Sequence, residues 1–300
     1  IVGKKAFMIS GSGEVVCLDI TDGKIVWKVS GKSFRHQPGM WGTSECPLVI
    51  DGKKVIYTPS GNETTIVALD AETGKTIWKS RSLQDEGGYA SPILITYNGH
   101  RKIVALTGNR IVGVNPENGQ IDWTFDDLGK EGSQYIVPTN TPLYKDGRIF
   151  TANGYGAGAF MLQLNEDASG VRLLWRNKGF DPHHGCFVLV DGIIYGSSHG
   201  RNGLGKWMAV DWNTGRTRFE MNWGKGVGEG SVIAADGMLY CSDERRGMVG
   251  LVRVNPAKFD LVSFFRITRG EGAFWAHPVI HRGILYVRHG NALMAYKIKG

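Results

Sequence analysis

Apolar residues along this 300-residue chain come in short runs, each cut by Gly, Asn or Asp, and the three-and-four spacing of a helix holds nowhere over a useful length. The pattern predicts strands joined by tight turns, and it repeats. Val16-Cys17-Leu18-Asp19-Ile20-Thr21-Asp22-Gly23-Lys24-Ile25-Val26-Trp27 returns as Val67-Ala68-Leu69-Asp70-Ala71-Glu72-Thr73-Gly74-Lys75-Thr76-Ile77-Trp78. One copy reads as a hairpin: an apolar strand, an Asp whose short side chain caps the turn, a Gly where positive φ is needed, and a second strand ending on an aromatic.

The aromatic follows the Asp or Asn by eight residues at Asp19/Trp27, Asp70/Trp78, Asn115/Trp123 and Asp211/Phe219, by ten at Asn165/Trp175 and by nine at Asn255/Phe264. A last copy, Leu293-Met294-Ala295-Tyr296, ends with the chain. Two more strands are predicted ahead of each hairpin. The first of each pair covers Cys46–Ile50, Ser91–Ile95, Thr141–Tyr144, Cys186–Val190, Ser231–Ala234 and His277–Ile280. The second covers Lys54–Thr58, Lys102–Leu106, Arg148–Ala152, Ile193–Gly196, Met238–Cys241 and Ile284–Val287. Four strands in roughly 45 residues, repeated, is the signature of an all-β fold, a β-propeller of four-stranded antiparallel blades. Seven repeats are visible: five complete units, an N-terminal unit lacking most of its first strand and a C-terminal unit lacking its fourth. The two defects are complementary, as in rings closed by strands from both chain ends, so residues 1–300 are expected to form a single domain with an incomplete N-terminal unit.

Composition narrows the function classes. Gly accounts for 43 residues, about twice the usual share, as a turn-rich fold requires. The net charge is +7, but most Lys and Arg sit singly in turns such as Asp22-Gly23-Lys24, which argues against a nucleic-acid partner. The longest stretch without Asp, Glu, Lys or Arg, Ile149 to Asn165, is 17 residues and holds three Gly, two Asn and a Gln, so no membrane span is expected. Ile1 opens the chain without a basic segment or cleavage site, so an export signal is expected to have been removed or never present. Cys17, Cys46, Cys186 and Cys241 show neither metal spacing nor a dense disulfide framework.

Asp-x-x-Thr-Gly-x-x-x-Trp at Asp70 to Trp78 resembles the tryptophan-docking motif of pyrroloquinoline-quinone (PQQ) repeat propellers. Their superfamily holds the quinoprotein alcohol dehydrogenases and the periplasmic lipoprotein of the outer-membrane β-barrel assembly machine. Trp41-Gly42-Thr43-Ser44-Glu45-Cys46-Pro47, Tyr89-Ala90-Ser91-Pro92, His183-His184-Gly185 and Trp275-Ala276-His277-Pro278 are similar to a bacterial subgroup, the PQQ-binding-like β-propeller repeat proteins. The resemblance implies eight blades, about one of which, N-terminal, is absent from this chain. It also implies a structural role for Trp27, Trp78, Trp123 and Trp175 and a periplasmic or cell-surface location. The family name implies PQQ with Ca²⁺. In the dehydrogenases these go with an adjacent cysteine pair, carboxylate and amide oxygens and a catalytic Asp. This sequence has no neighbouring cysteines and no Ca²⁺-loop spacing, and no cofactor is assigned.

Aligning the units puts Ser44, Tyr89, Thr139, His184, Glu229 and Trp275 in one column and Cys46, Ser91, Thr141, Cys186, Ser231 and His277 in a second. Strand alternation places both columns on one side. His36, Trp41, Glu45, Asn140 and His183 flank them, and the second-to-third-strand loops add His199, Arg201 and Arg246. These residues predict a funnel suited to a protein partner, a carbohydrate or an anionic small molecule. The favoured reading is an extracytoplasmic binding scaffold. Two alternatives are an enzyme on a carbohydrate or anionic substrate, for example an acidic sugar, with His184 or His183 as base, Tyr89 as acid, Glu229 in the throat and Arg201 or Arg246 as anion clamp, and a quinoprotein-type oxidoreductase. No metal site is assigned, because His183 and His184, adjacent on one strand, are expected to face opposite ways.

Overall fold

The computed structural model describes residues 1–129, 137–200, 205–224 and 228–298. Apart from one 3₁₀ turn, Gly31–Phe34, the regular structure among these residues is strand. Seven antiparallel sheets follow one another along the chain, five of four strands and the first and seventh of three, and within each sheet every strand pairs with its sequence neighbour. These sheets are the blades of a β-propeller, the fold class read from the repeat.

Strand starts differ from the sequence reading in a regular way. Where a proline precedes the run, the first strand begins just after it, at Leu48, Ile93, Leu143 and Val279. Proline has no N–H to give to a ladder, so it stands outside the pairing. Where no proline intervenes, the strand reaches Phe187–Val190 and Gly230–Ala235.

The repeated turn is built by its Asp. Asp70 Oδ1 accepts the Glu72 N–H at 3.0 Å, the Thr73 N–H at 2.8 Å and the Thr73 hydroxyl at 2.8 Å, and Asp211 repeats this with Asn213 and Thr214. The third and fourth strands then pair with a register shift in five sheets, directly after the residue opposite the aromatic at Cys17/Leu18, Ala68/Leu69, Gly113/Val114 and Ala209/Val210 and one residue later at Leu251/Val252. Such a bulge raises the local twist that stacked sheets need.

The chain divides into two compact units, described in turn. The first holds residues 1–129, 137–151 and 162–174, and the second 152–161, 175–200, 205–224 and 228–298; the division runs through the fourth sheet. In the first unit one core joins the first two sheets through Val15, Trp27, Val55, Tyr57 and Leu69, and another joins the second and third through Ile56, Ile66, Trp78, Ile103 and Val112. Trp27 Nε1 donates to Ala71 O and Trp78 Nε1 to Pro116 O, both at 3.1 Å and both into the turn of the following sheet. The turn glycine serves twice there. Gly119 has φ +78°, and a Cβ on it would lie 2.4 Å from the Trp78 ring. In the second unit Trp175 Nε1 donates to Trp212 O at 3.2 Å over Gly215. That unit's cores join the fifth and sixth sheets through Tyr195, Trp207, Leu239 and Val252, and the sixth and seventh through Val249, Ile267, Leu285 and Val287.

Candidate functional site

Within the second unit, loops leading into first strands and loops leaving second strands come together. His183 and His184 precede Phe187–Val190, Glu229 precedes Gly230–Ala235, and Trp275 and His277 precede Val279–His281. His199 follows Ile193–Ser198 and Glu244 follows Met238–Asp243. Side chains of these loops form one cluster. The rings of His183 and His184 lie 4.5 Å apart between centroids, and those of His183 and His199 lie 5.0 Å apart. The expectation that the paired histidines face opposite ways is corrected: they stand in a loop, the strand begins at Phe187, and Cys186 at φ +57° breaks the alternation.

Carboxylates surround the imidazoles. His199 Nδ1 is hydrogen-bonded to Glu229 Oε1, and His184 Nε2 lies 3.4 Å from Glu244 Oε2. His277 Nε2 lies 2.9 Å from the His184 carbonyl oxygen, and the His184 ring meets that of Trp275 at 5.3 Å. Burial pushes His183 down to about 3, helped by the neighbouring His184 and His199, so its imidazole is neutral near pH 7. Burial also lowers His184. His199 is raised by its hydrogen bond to Glu229, and Glu244 is pushed up to about 7, first by burial and then by Glu229.

Three residues of the cluster were not singled out from sequence, Tyr155, Asp181 and the Glu244 already described. The Tyr155 ring contacts His183 at 4.6 Å and His199 at 5.2 Å. Asp181 accepts the Gly156 and Gly158 N–H groups at 2.7 Å each, and its carbonyl takes the His199 N–H at 2.8 Å. Arg246 is exposed, with its N–H on Asp243 Oδ2 at 2.5 Å. Arg201 lies outside the described residues.

The other named residues lie in the first unit. His36 has Nδ1 2.7 Å from Pro59 O and Nε2 2.8 Å from Thr43 Oγ1, so both ring nitrogens hold loop segments together. Tyr89 OH accepts the Trp41 N–H at 3.2 Å, and the two rings meet at 5.8 Å. Glu45 is buried, with Oε1 accepting the Thr58 N–H at 2.8 Å and Oε2 the Thr58 hydroxyl. Asn140 is also buried, and its carbonyl accepts the Thr151 hydroxyl at 3.3 Å. The second column ties neighbouring sheets: Cys46 N–H donates to Ser91 Oγ at 2.9 Å and Ser91 N–H to Thr141 Oγ1 at 3.2 Å.

The residues described do not suit PQQ and its Ca²⁺. No disulfide joins the four cysteines, and Cys17 and Cys241 are buried within strands. In the cluster, the rings of His183, His184, His199 and Tyr155 tilt onto one another at 54° to 68° instead of flanking a flat slot. Ca²⁺ takes oxygen ligands, whereas the convergent donors here include two imidazoles.

A family model described as outer membrane protein assembly factor BamB matches residues 2–221. An uncharacterised protein of Rickettsia conorii is 25% identical over 224 residues, 72% of this chain and 48% of that protein. Subunit 1 of the cytochrome c methanol dehydrogenase of Methylorubrum extorquens is 26% identical over 199 residues, 61% of this chain and 31% of the subunit. The chain thus spans less than half the length of these curated relatives. The crystal structure of BamB from Moraxella catarrhalis superposes with a TM-score of 0.70 over 98% of this chain and 79% of that one, at 20% identity, a likeness of fold.

Proposed function

The chain belongs to the family of the outer membrane protein assembly factor BamB, and from that membership we propose that it is a binding scaffold working outside the cytoplasm, in the periplasm or at the cell surface, which holds a protein partner on its strand-start loops. The partner class suggested by the family is a component of outer-membrane protein assembly.

One observation carries this reading. Trp41 is 60% exposed and Trp275 63% exposed, whereas Trp27, Trp78, Trp123 and Trp207 are each below 10%. Both exposed indoles stand on loops that precede first strands, each against a less exposed ring, Tyr89 for one and His184 for the other. In the first unit Met40, 78% exposed, extends the apolar surface beside Trp41. Indoles left open beside a polar rim are the groups that become hot spots when a protein covers them, and truncating such a hot spot costs about 2 kcal/mol or more of binding.

A photoreactive amino acid placed at Trp41 or Trp275, expressed in the native cell, tests the reading. Each position is expected to cross-link to an envelope protein, while the same probe at Asp22, in an exposed turn of the first sheet, does not. Silence at both tryptophan positions, or an identical product from Asp22, overturns the proposal.

A further inference from the structure

The scaffold reading leaves three side chains of metal-ligating chemistry in the second unit without a purpose. His183, His199 and Glu229 offer ligand atoms that all lie within 4.8 Å of one another. They come from three separate loops of the fifth and sixth sheets, and none is exposed. A second observation points at a ligand independently. Glu229 is 4% exposed, and while its Oε1 meets His199, its Oε2 is buried without a hydrogen-bond partner among the described residues. A buried, unpaired carboxylate oxygen is costly, and a cation removes the cost.

The surroundings are shaped for close approach. A Cβ on Gly154, whose φ is +68°, would stand 3.2 Å from His183 Cα, and one on Gly205 would stand 2.7 Å from Glu229 Cβ. The Tyr155 ring braces both imidazoles. Asp181, pinned by two backbone N–H groups, accepts the His199 N–H on its own carbonyl and so fixes the start of that loop. Outer partners of this kind are what orient ligands around a metal.

We propose that His183, His199 and Glu229 bind one divalent first-row transition ion of the Zn²⁺ type, with two imidazoles and a carboxylate as ligands and a fourth position open. Ligands around a tetrahedral Zn²⁺ stand about 3.3 Å apart, so small side-chain rotations complete the site and the ion replaces the contact between His199 and Glu229. Two nitrogen donors favour Zn²⁺, Fe²⁺, Co²⁺ or Ni²⁺ over Ca²⁺ and Mg²⁺, which prefer oxygen. The ion would also clamp the fifth sheet to the sixth, so binding should stabilise the fold.

The test uses the whole chain, stripped with a chelator and titrated with Zn²⁺ by calorimetry, with bound metal counted by elemental analysis after dialysis. One Zn²⁺ per chain is expected, with a rise in unfolding midpoint that Ca²⁺ does not produce. His199→Ala and Glu229→Gln are each expected to weaken binding by at least about 100-fold, the upper end of what losing a mere outer partner does. His281→Ala, which removes an exposed histidine at the end of Val279–His281, should leave binding unchanged. No stoichiometric Zn²⁺ on the wild-type chain, or undiminished binding in both variants, overturns the site. Should a variant fail to fold, the wild-type comparison decides alone: Ca²⁺ stabilising as strongly as Zn²⁺ sinks the proposal.

Discussion

Glu45 is 5% exposed, and burial pushes its carboxyl up to about 7, against the opposing pull of its two hydrogen bonds from Thr58. The folded protein therefore holds this proton over a range where the unfolded chain, titrating near 4.5, has lost it. Below about pH 4.5 both states are protonated and the group is neutral in its effect; as pH rises towards 7, stability is lost. The full penalty is on the order of 3 kcal/mol by the usual conversion of a pKa shift. Glu45→Gln keeps an oxygen for the Thr58 N–H and offers an amide to the hydroxyl. Urea unfolding at pH 5 and pH 8 should show the variant more stable than wild type at pH 8 and nearly equal at pH 5; the same difference at both values refutes the assignment. Glu45 could be picked out of the sequence, but its burial could not, because that depends on which loop covers it. Tyr155, Asp181 and Glu244 were missed for the same reason. The positions of Tyr155 and Glu244 in second-to-third-strand loops, the loop type that carries His199, could have flagged those two.

Between elements, Trp27, Trp78, Trp123 and Trp175 hold equivalent places in the repeat, and one of the four differs from the others. Trp123 Nε1 is buried without a hydrogen-bond partner among the described residues, while Trp27, Trp78 and Trp175 donate to the next turn. The reason is visible in the repeat. The fourth unit's turn runs from Asn165 through Gly170, longer than the Asp-x-x-Thr-Gly form, and Gly170 has no indole within 4 Å. Trp78→Phe removes the donor to Pro116 O, whereas Trp123→Phe removes an N–H that had no acceptor. Both lose apolar contact, so Trp78→Phe is expected to destabilise by about 1–2 kcal/mol more, measured by denaturant titration. Equal losses would show that the hydrogen bond contributes nothing. The eight-residue spacing made the regular turns legible and the ten-residue copy visibly looser. What the spacing could not reveal was which carbonyl each indole reaches, since that carbonyl belongs to a different repeat. Four strand starts were read two residues early for a simpler reason, as the proline inside each of those runs looks apolar but cannot join a ladder.

At the scale of the whole molecule, the cores decide how the chain should unfold. Among the described residues, the hydrophobic clusters of the first three sheets and of the last three are each shared by two neighbouring sheets. A lone three- or four-stranded sheet of this kind has a face with nothing to bury it, so no single blade is stable when its neighbour is lost. Loss of one sheet therefore exposes the core of the next, and unfolding spreads along each unit. The single domain expected from the repeat extends the same expectation from each unit to residues 1–300. Hydrogen exchange read by mass spectrometry across a denaturant series checks this directly. Peptides covering Val15–Val29 in the first sheet and Met238–Arg253 in the sixth should lose protection at the same midpoint. Midpoints that separate, with one peptide open while the other stays protected, would instead assign the first and second units to two independently folding domains.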